Sequence, residues 1–277
     1  MTFSAVGLQS AGREMRHWAE PLGRFGFAAK GAIYVLIGTL AAQAAAGMGG
    51  DATGSEGALR RIVQLPFGRV LLAAVALGLL GYALWRFIQA YKDTENKGSQ
   101  GKGLAIRAGY AVIALIHLGL AWSAVLLVRG GSAGNAGNSK QHWTAWLLAQ
   151  PYGQWLVGAV GAIVVVVGLY QFYQAYSAQF RQRLKTGEMS GSEETWALRL
   201  GRAGFAARGV VFCLAGALVI LGAMHADPAN ARGLEGALEV LERQRYAPWL
   251  FGLVAVGLVA YGLFQWVLAR YRRMVIR

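Results

Sequence analysis

Carboxylates are few in this sequence, and none stands in the middle of an apolar run. All 13 Asp and Glu residues fall in loops or in the N-terminal arm. Proton- and sodium-coupled transporters commonly bind their cation on an acid buried within a span, so coupled cation transport is disfavoured. Selection of cations by an acidic ring inside the membrane is disfavoured for the same reason. Cysteine is scarcer still. Cys213 stands alone, which excludes an intramolecular disulfide and any cysteine metal cluster. No Ser-His-Asp, Cys-His or paired-acid grouping can be assembled from local spacing, so no enzyme, metal site or cofactor is expected. The glycine-rich stretch 47–51 lacks the lysine of a phosphate loop and reads as a turn. The first twenty residues have no apolar core, being interrupted by Arg13, Glu14, Arg16 and His17, so a cleaved signal is not expected.

What the chain has in abundance is apolar length. Of its 277 residues 56% are hydrophobic and only 14% charged, which is too apolar for an ordinary soluble domain. Six runs stand out, at about 25–47, 70–90, 108–128, 155–176, 203–224 and 248–269. Each supplies the roughly 20 residues that cross a hydrocarbon core of about 30 Å as a helix. Backbone groups find no water there, so a helix is the form each run must take, and the alternation of a barrel strand is absent. The expected fold is all-α and integral to the membrane, with six transmembrane helices. A net charge of +14 would point to nucleic acid in a soluble protein, but here the basic residues gather beside spans, and no nucleic-acid partner is expected. With the N-terminus in the cytoplasm, 19 of the 27 Lys and Arg residues lie on the cytoplasmic side. That asymmetry predicts cytoplasmic N- and C-termini. Aromatic residues mark the boundaries: Trp18, Trp85, Tyr91, Tyr176, Trp196 and Trp266 on the inner side, Trp143, Tyr152, Trp155, Tyr246 and Trp249 on the outer. Rings with a polar edge settle at such interfaces without any ligand.

A repeat organises the runs. Residues 18–31 return at 196–209 with 10 of 14 positions identical. A fainter copy, Arg107-Ala108-Gly109-Tyr110-Ala111, matches Arg24-Phe25-Gly26-Phe27-Ala28. The second helices repeat too: Phe87-Ile88-Gln89-Ala90-Tyr91 returns as Phe172-Tyr173-Gln174-Ala175-Tyr176, while Tyr82 and Phe87 align with Tyr261 and Trp266. The chain thus divides into an N-terminal arm, 1–17, and three units, 18–97, 101–185 and 196–277, each a helix, an outer loop and a helix. Two spans per unit return the chain to the same side, so the units are parallel rather than inverted. Three parallel units allow a pseudo-threefold axis along the membrane normal, a row of units being the other arrangement. In the outer loops Leu59, Ile62 and Val63, and again Leu234, Leu238 and Leu241, fall at helical spacing with charges between them. These read as amphipathic helices lying in the outer interface, with a lid over a central path as the alternative. Gly38 with Ala42, Ala74 with Gly78, and Gly158 with Ala162 give the small surfaces on which membrane helices pack closely.

The threefold pattern, with Leu-Gly-Arg-x-Gly-Phe-Ala-Ala, the later Pro-Phe-Gly and Gly81-Tyr82-Ala83-Leu84-Trp85-Arg86, resembles the bacterial family named domain of unknown function 1206. The resemblance covers residues 18 to 271. It implies an integral protein of the bacterial plasma (inner) membrane and no established activity. The middle copy departs from the pattern, with Ile113 where Lys30 and Arg208 stand and His117 where Tyr34 and Phe212 stand.

Six residues are candidates for a pathway or an anion contact. Arg24, Arg107 and Arg202 recur at the cytoplasmic end of each first helix. Around a threefold axis they form a basic ring that concentrates anions at a pore mouth. Alternatively they reach lipid phosphates or loop carbonyls and set helix depth. Lys30 and Arg208 lie about 9 Å deeper, six residues on at helical rise. A charge at that depth costs a few kcal/mol unless it lines a wet vestibule. His117 is the only histidine inside a span. It reads as a proton relay or ligand contact, or as a neutral ring bonded to a neighbouring helix. Two functions stay in view. One is a non-enzymatic component of the lipid bilayer, with a membrane-protein partner or as a homo-oligomer. The other is a small-solute or ion channel or transporter with its path along the axis.

Overall fold

Each apolar run forms one long helix, and each first helix of a unit is followed by a short one. The computed structural model describes the backbone of residues 3–50, 52–96, 98–131, 144–225, 233–243 and 248–274, with the side chains of 3–19, 233–235 and 248 outside that description. The long helices are α1 (Phe3–Ala45), α3 (Gly68–Lys92), α4 (Gly101–Val128), α6 (Gly153–Ser177), α7 (Gly191–Met224) and α9 (Pro248–Tyr271). The short ones are α2 (Ser55–Val63), α5 (144–148) and α8 (Gly233–Arg243). All six long helices contain a segment long and apolar enough to cross a membrane, so the chain is a multi-pass membrane protein. The N-terminal arm continues directly into the first span as one helix that runs through Pro21.

Local sequence explains the helix ends. Ser190 and Glu193 form a capping box at the start of α7, the Ser190 amide donating to the Glu193 carboxylate at 2.8 Å. The Pro-Phe-Gly and Pro-Tyr-Gly motifs place Phe67 (φ 58°) and Tyr152 (φ 65°) in the left-handed region just before α3 and α6. Glycine must follow, because a Cβ on Gly68 would lie 2.3 Å from the Ile62 carbonyl oxygen and one on Gly153 1.9 Å from that of Leu147.

Contacts between units join each unit to the other two and form a ring that is open at one place. α3 packs on α4, α6 on α7 and α9 on α1, so the second helix of each unit meets the first helix of the next, and the last unit returns to the first. A row of units has no such closing contact, and a pseudo-threefold axis requires it. The contacts repeat in detail. A Cβ on Gly38 would lie 2.7 Å from the Ala255 oxygen and from a Val259 methyl, and one on Gly216 2.7 Å from the Gly161 oxygen and from a Val165 methyl. At the equivalent positions of α3 and α4 stand Ala76, Ala83, Ala114 and Ala121, all buried. Small residues let these backbones approach where lipid offers little hydrophobic drive.

Two apolar clusters fill the ring. At the end opposite the termini, Leu59 and Ile62 of α2 and Leu238 and Leu241 of α8 join Ile37, Leu72, Phe251 and Leu258. The apolar faces of these short helices therefore pack on the ends of the long ones. At the termini-bearing end, Phe180 and Leu184 of the 178–190 connector pack with Phe27, Trp85, Phe264, Leu268 and Met274. Trp85, expected at the interface, is buried within this cluster. An antiparallel bridge between Leu184 and Arg272 ties the connector to the C-terminal segment. Trp18, Trp143, Leu234 and Tyr246 lie outside the described side chains.

The middle unit differs from its neighbours. α1 packs on α3 and α7 on α9, but α4 and α6 make no comparable contact. The crossings in the outer units set Ala29 on Gly78 and Ala207 on Gly257, with only 2.4 Å between each alanine methyl and a Cβ built on the glycine. At the equivalent positions the middle unit has Val112 and Ile163. Two β-branched side chains cannot occupy the space of a methyl group and a hydrogen. Gly26 and Gly204 lie against the backbones of Tyr82 and Tyr261, whereas a Cβ on Gly109 would meet nothing within 4 Å. Exposure follows: Ile33 and Val211 are each 1% exposed and their counterpart Ile116 is 57%. Tyr82 is 0% exposed, Tyr261 3% and Val167 39%. Among the described residues, the ring has an open seam between α4 and α6.

Candidate functional site

Between the two apolar clusters the ring holds cations and tyrosines. The first helices bring Lys30 and Arg208 to equivalent positions, with Tyr34, His117 and Phe212 one turn further on. The second helices bring Tyr82 and Tyr261, and one turn on Arg86, Gln171 and Gln265. Lys30 Nζ donates to the Tyr82 hydroxyl oxygen at 3.0 Å. Arg86 donates to the same oxygen from Nε at 3.0 Å and from a terminal nitrogen at 2.6 Å. Arg208 donates to the Tyr261 hydroxyl at 2.6 Å. Lys30 Nζ also lies 4.6 Å from the centre of the Tyr82 ring, and the Arg208 guanidinium 4.4 Å from that of Tyr261. The His117 ring stands 4.5 Å from the Tyr82 ring, and its Nδ1 donates to the Ile113 carbonyl of its own helix at 2.8 Å. Among the described residues its polar bond is therefore within α4 and not to a neighbouring helix.

Charge is unbalanced within this cluster. Lys30 and Arg86 are buried and Arg208 is half-buried. Their hydrogen bonds among the described residues go to phenol and amide oxygens. Since Lys30 and Arg86 share one oxygen, their charges lie within about 6 Å, which at an effective dielectric near 20 means repulsion on the order of 3 kcal/mol. The tyrosine faces offset part of it. Arg208 Nε is buried and has no hydrogen-bond partner among the described residues. The acid in the network is reached indirectly: Arg86 donates to Gln89 Oε1 at 2.9 Å, and Gln89 donates to Glu95 at 3.0 Å. Glu95 is engaged by Arg272 at 2.9 Å, Arg183 at 3.7 Å and the Tyr110 hydroxyl at 2.8 Å. Burial pushes the Glu95 carboxyl up, but Arg183, Arg272 and Tyr110 outweigh it and hold it at about 2. Burial, with Arg86 and Arg183 adding to it, brings the Arg272 guanidinium down to about 10 against the pull of Glu95, and it stays charged at neutral pH.

The arginines nearer the termini do other work. Arg24 donates to the carbonyls of Ala269 (2.8 Å) and Arg270 at the end of α9, and pairs with Glu20 at 2.7 Å. Arg107 donates to the carbonyls of Ala90 (2.7 Å) and Tyr91 (2.9 Å) at the end of α3. The two arginines stand at equivalent positions and cap the second helix of the preceding unit, satisfying carbonyls that a helix terminus leaves open. Arg202 is exposed and makes no such bond among the described residues.

The family model for Domain of Unknown Function (DUF1206) matches three times, at residues 25–93, 108–178 and 203–272. The chain belongs to the DUF1206 family. A Bacillus subtilis (strain 168) protein described as "Uncharacterized protein YxxB" is 37% identical over 262 residues, which cover 95% of this chain and 94% of that one. No solved structure matches the chain. The three DUF1206 units coincide with the helix pairs α1/α3, α4/α6 and α7/α9.

The DUF1206 units contribute unequally to the cluster. The first and third supply its cations and tyrosines, while the middle one supplies His117 and the open seam. Of the six sequence candidates, Lys30, Arg208 and His117 come together around Tyr34, Tyr82 and Tyr261, whereas Arg24 and Arg107 hold helix ends. Arg86 and Glu95 escaped sequence reasoning. Arg86 stands among the basic residues near the end of α3, and only its i+4 spacing from Tyr82 marked it as sharing that inward face. Glu95 belongs to a loop that folds back under the bundle, for which the sequence carries no local signal. Among the described residues no group of three His, Cys, Asp or Glu side chains assembles as metal ligands.

Proposed function

We propose that this DUF1206 protein is a non-enzymatic component of the bacterial plasma membrane that binds an anion at the Lys30–Arg86–Arg208 cluster, with both termini in the cytoplasm. One observation carries the reading: among the described residues the cations of the cluster are answered by phenol and amide oxygens, with Arg208 Nε left without an acceptor. Positive charge enclosed in this way is costly, and a bound anion offsets both the desolvation and the mutual repulsion. The excess of Lys and Arg beside the termini-bearing ends of the helices supports the orientation.

A path along the axis is the second reading, favoured by polar residues recurring at equivalent positions, Lys30 with Arg208 and Arg86 with Gln171 and Gln265. Apolar clusters fill both ends of that path, so passage would require each to rearrange. The test is the thermal midpoint of lipid-depleted protein in neutral detergent, followed against phosphate or sulfate at constant ionic strength. Wild type is expected to gain stability with anion concentration, and Lys30→Gln/Arg208→Gln is expected to lose the response. A flat wild-type curve, or equal slopes in both proteins, would overturn the anion reading. Anion flux in sealed vesicles separates the second reading from the first.

A further inference from the structure

The cluster is enclosed along the axis and approachable from the side. Toward one end lie Ile37, Leu72 and Phe251, toward the other Phe180, Leu184 and Phe264. Laterally, α4 and α6 stand apart, and the seam between them carries Val112, Ile116, Ile163 and Val167, all exposed and all aliphatic. The seam leads to charge. His117 projects from α4, is half-buried, and stacks on the same Tyr82 ring whose oxygen Lys30 and Arg86 share. Tyr34, Arg208 and Phe212 face the cluster yet are only half-buried, and Arg208 Nε has no hydrogen-bond partner among the described residues.

We propose that the ligand is an anionic phospholipid, its headgroup phosphate at Lys30, Arg86 and Arg208 and its acyl chain in the seam between α4 and α6. This rests on the anion-site reading and names its ligand class. Charge complementarity selects the occupant. Free phosphate matches the cluster but leaves the aliphatic seam unfilled, and a second copy of the chain matches the seam but brings no anion to the cluster. A zwitterionic lipid matches the seam and carries its own cation toward three others. Only an anion joined to a hydrocarbon chain matches both surfaces. Arg86 lies six residues before the end of α3, so the phosphate is drawn about 9 Å below that helix end. The departure of the middle unit then has a purpose: Val112, Ile163 and Val167 hold open a lateral entry that Ala29, Gly78 and Tyr82, or Ala207, Gly257 and Tyr261, close in the other two.

Native mass spectrometry from neutral detergent tests this with phosphatidylglycerol, phosphatidylcholine and water-soluble glycerol phosphate as probes. Phosphatidylglycerol is expected to be retained about tenfold better than phosphatidylcholine, and retention is expected to fall about tenfold in Lys30→Gln/Arg208→Gln. Val112→Ala/Ile163→Gly/Val167→Tyr gives the middle unit the residues of the first. It is expected to lose the lipid while its thermal midpoint still rises with glycerol phosphate. Val167→Trp obstructs the seam with one exposed substitution and serves the same purpose should the triple variant not fold. Equal lipid retention in wild type and both seam variants would overturn the proposal, as would equal retention of the two lipids. A dimer that occupies the seam and excludes lipid would overturn it too. Stabilisation by glycerol phosphate without lipid retention sinks the lipid proposal and spares the anion site. Response to neither probe sinks both.

Discussion

Two glycine-to-alanine substitutions at equivalent positions are expected to change stability in opposite directions. Gly26 and Gly109 occupy the same place in the first and second units. A Cβ added at Gly26 would lie 2.5 Å from the Tyr82 nitrogen and 2.7 Å from its Cα. Those are backbone atoms and cannot rotate away. Ordinary contact needs about 3.5–4 Å, so α3 must retreat by roughly 1 Å. That movement drags Tyr82 away from Lys30, and overpacking of this kind costs about 1–3 kcal/mol. At Gly109 nothing lies within 4 Å of the new Cβ. The substitution then acts only on the helix backbone, where alanine is better than glycine by about 0.5–1 kcal/mol. The two variants should therefore differ by about 1.5–4 kcal/mol, with wild type between them. Gly204→Ala, which would meet Tyr261 Cα at 2.5 Å, should behave like Gly26→Ala. Reversible unfolding in mixed detergent micelles measures all three. If Gly109→Ala destabilised as much as Gly26→Ala, α4 and α6 would be packed together and the open seam would be wrong.

Three further expectations use the same unfolding assay. Tyr82→Phe removes the oxygen on which Lys30 and Arg86 converge and should cost about 1–3 kcal/mol, the penalty of stranding buried donors; no loss would mean that other groups satisfy them. Glu95 is held near 2 from an ordinary 4.5, so its contribution, on the order of 3 kcal/mol, is complete above about pH 4.5 and is lost as pH falls toward 2. Glu95→Gln should flatten that acid limb, and an unchanged limb would show that the carboxylate is not the titrating group. Arg24→Ala and Arg107→Ala should each cost about 1 kcal/mol by uncapping α9 and α3, while Arg202→Ala stays within about 0.5 kcal/mol; a uniform effect across the three would argue for a shared role.

Much of this architecture is written in periodic features. Apolar length alone set the six helices, and the offset between Gly26 and Gly204 set the units. The Pro-Phe-Gly and Pro-Tyr-Gly motifs proved to be left-handed entries into α3 and α6. Lys30 and Arg208 were legible because charge within a span is costly wherever it occurs. The seam was half legible. Ile113 and His117 marked the middle unit as different, but the steric cause lies in Val112 and Ile163. Their meaning appears only when it is known that Ala29 crosses Gly78. Arg86 was hidden among charges that also set orientation, and Glu95 by a loop whose course depends on Arg272, 177 residues away. Trp85 was placed at the inner interface because its ring has a polar edge, and α2 and α8 in the outer interface because an amphipathic pattern reports that a face is covered, not what covers it.

The measurement that bears most directly on the anion site compares Lys30→Gln/Arg208→Gln with wild type, delipidated, in two buffers matched for ionic strength. One contains a weakly coordinating anion and the other phosphate. If the cations await a ligand, wild type should gain about 2.7 kcal/mol when phosphate reaches about 100 times its dissociation constant, while the variant gains nothing. Without phosphate, wild type should be no more stable than the variant, since the repulsion between its cations is unrelieved. A wild type that is far more stable than the variant in both buffers, with no gain from phosphate, would contradict this and make the cluster a structural network complete in itself.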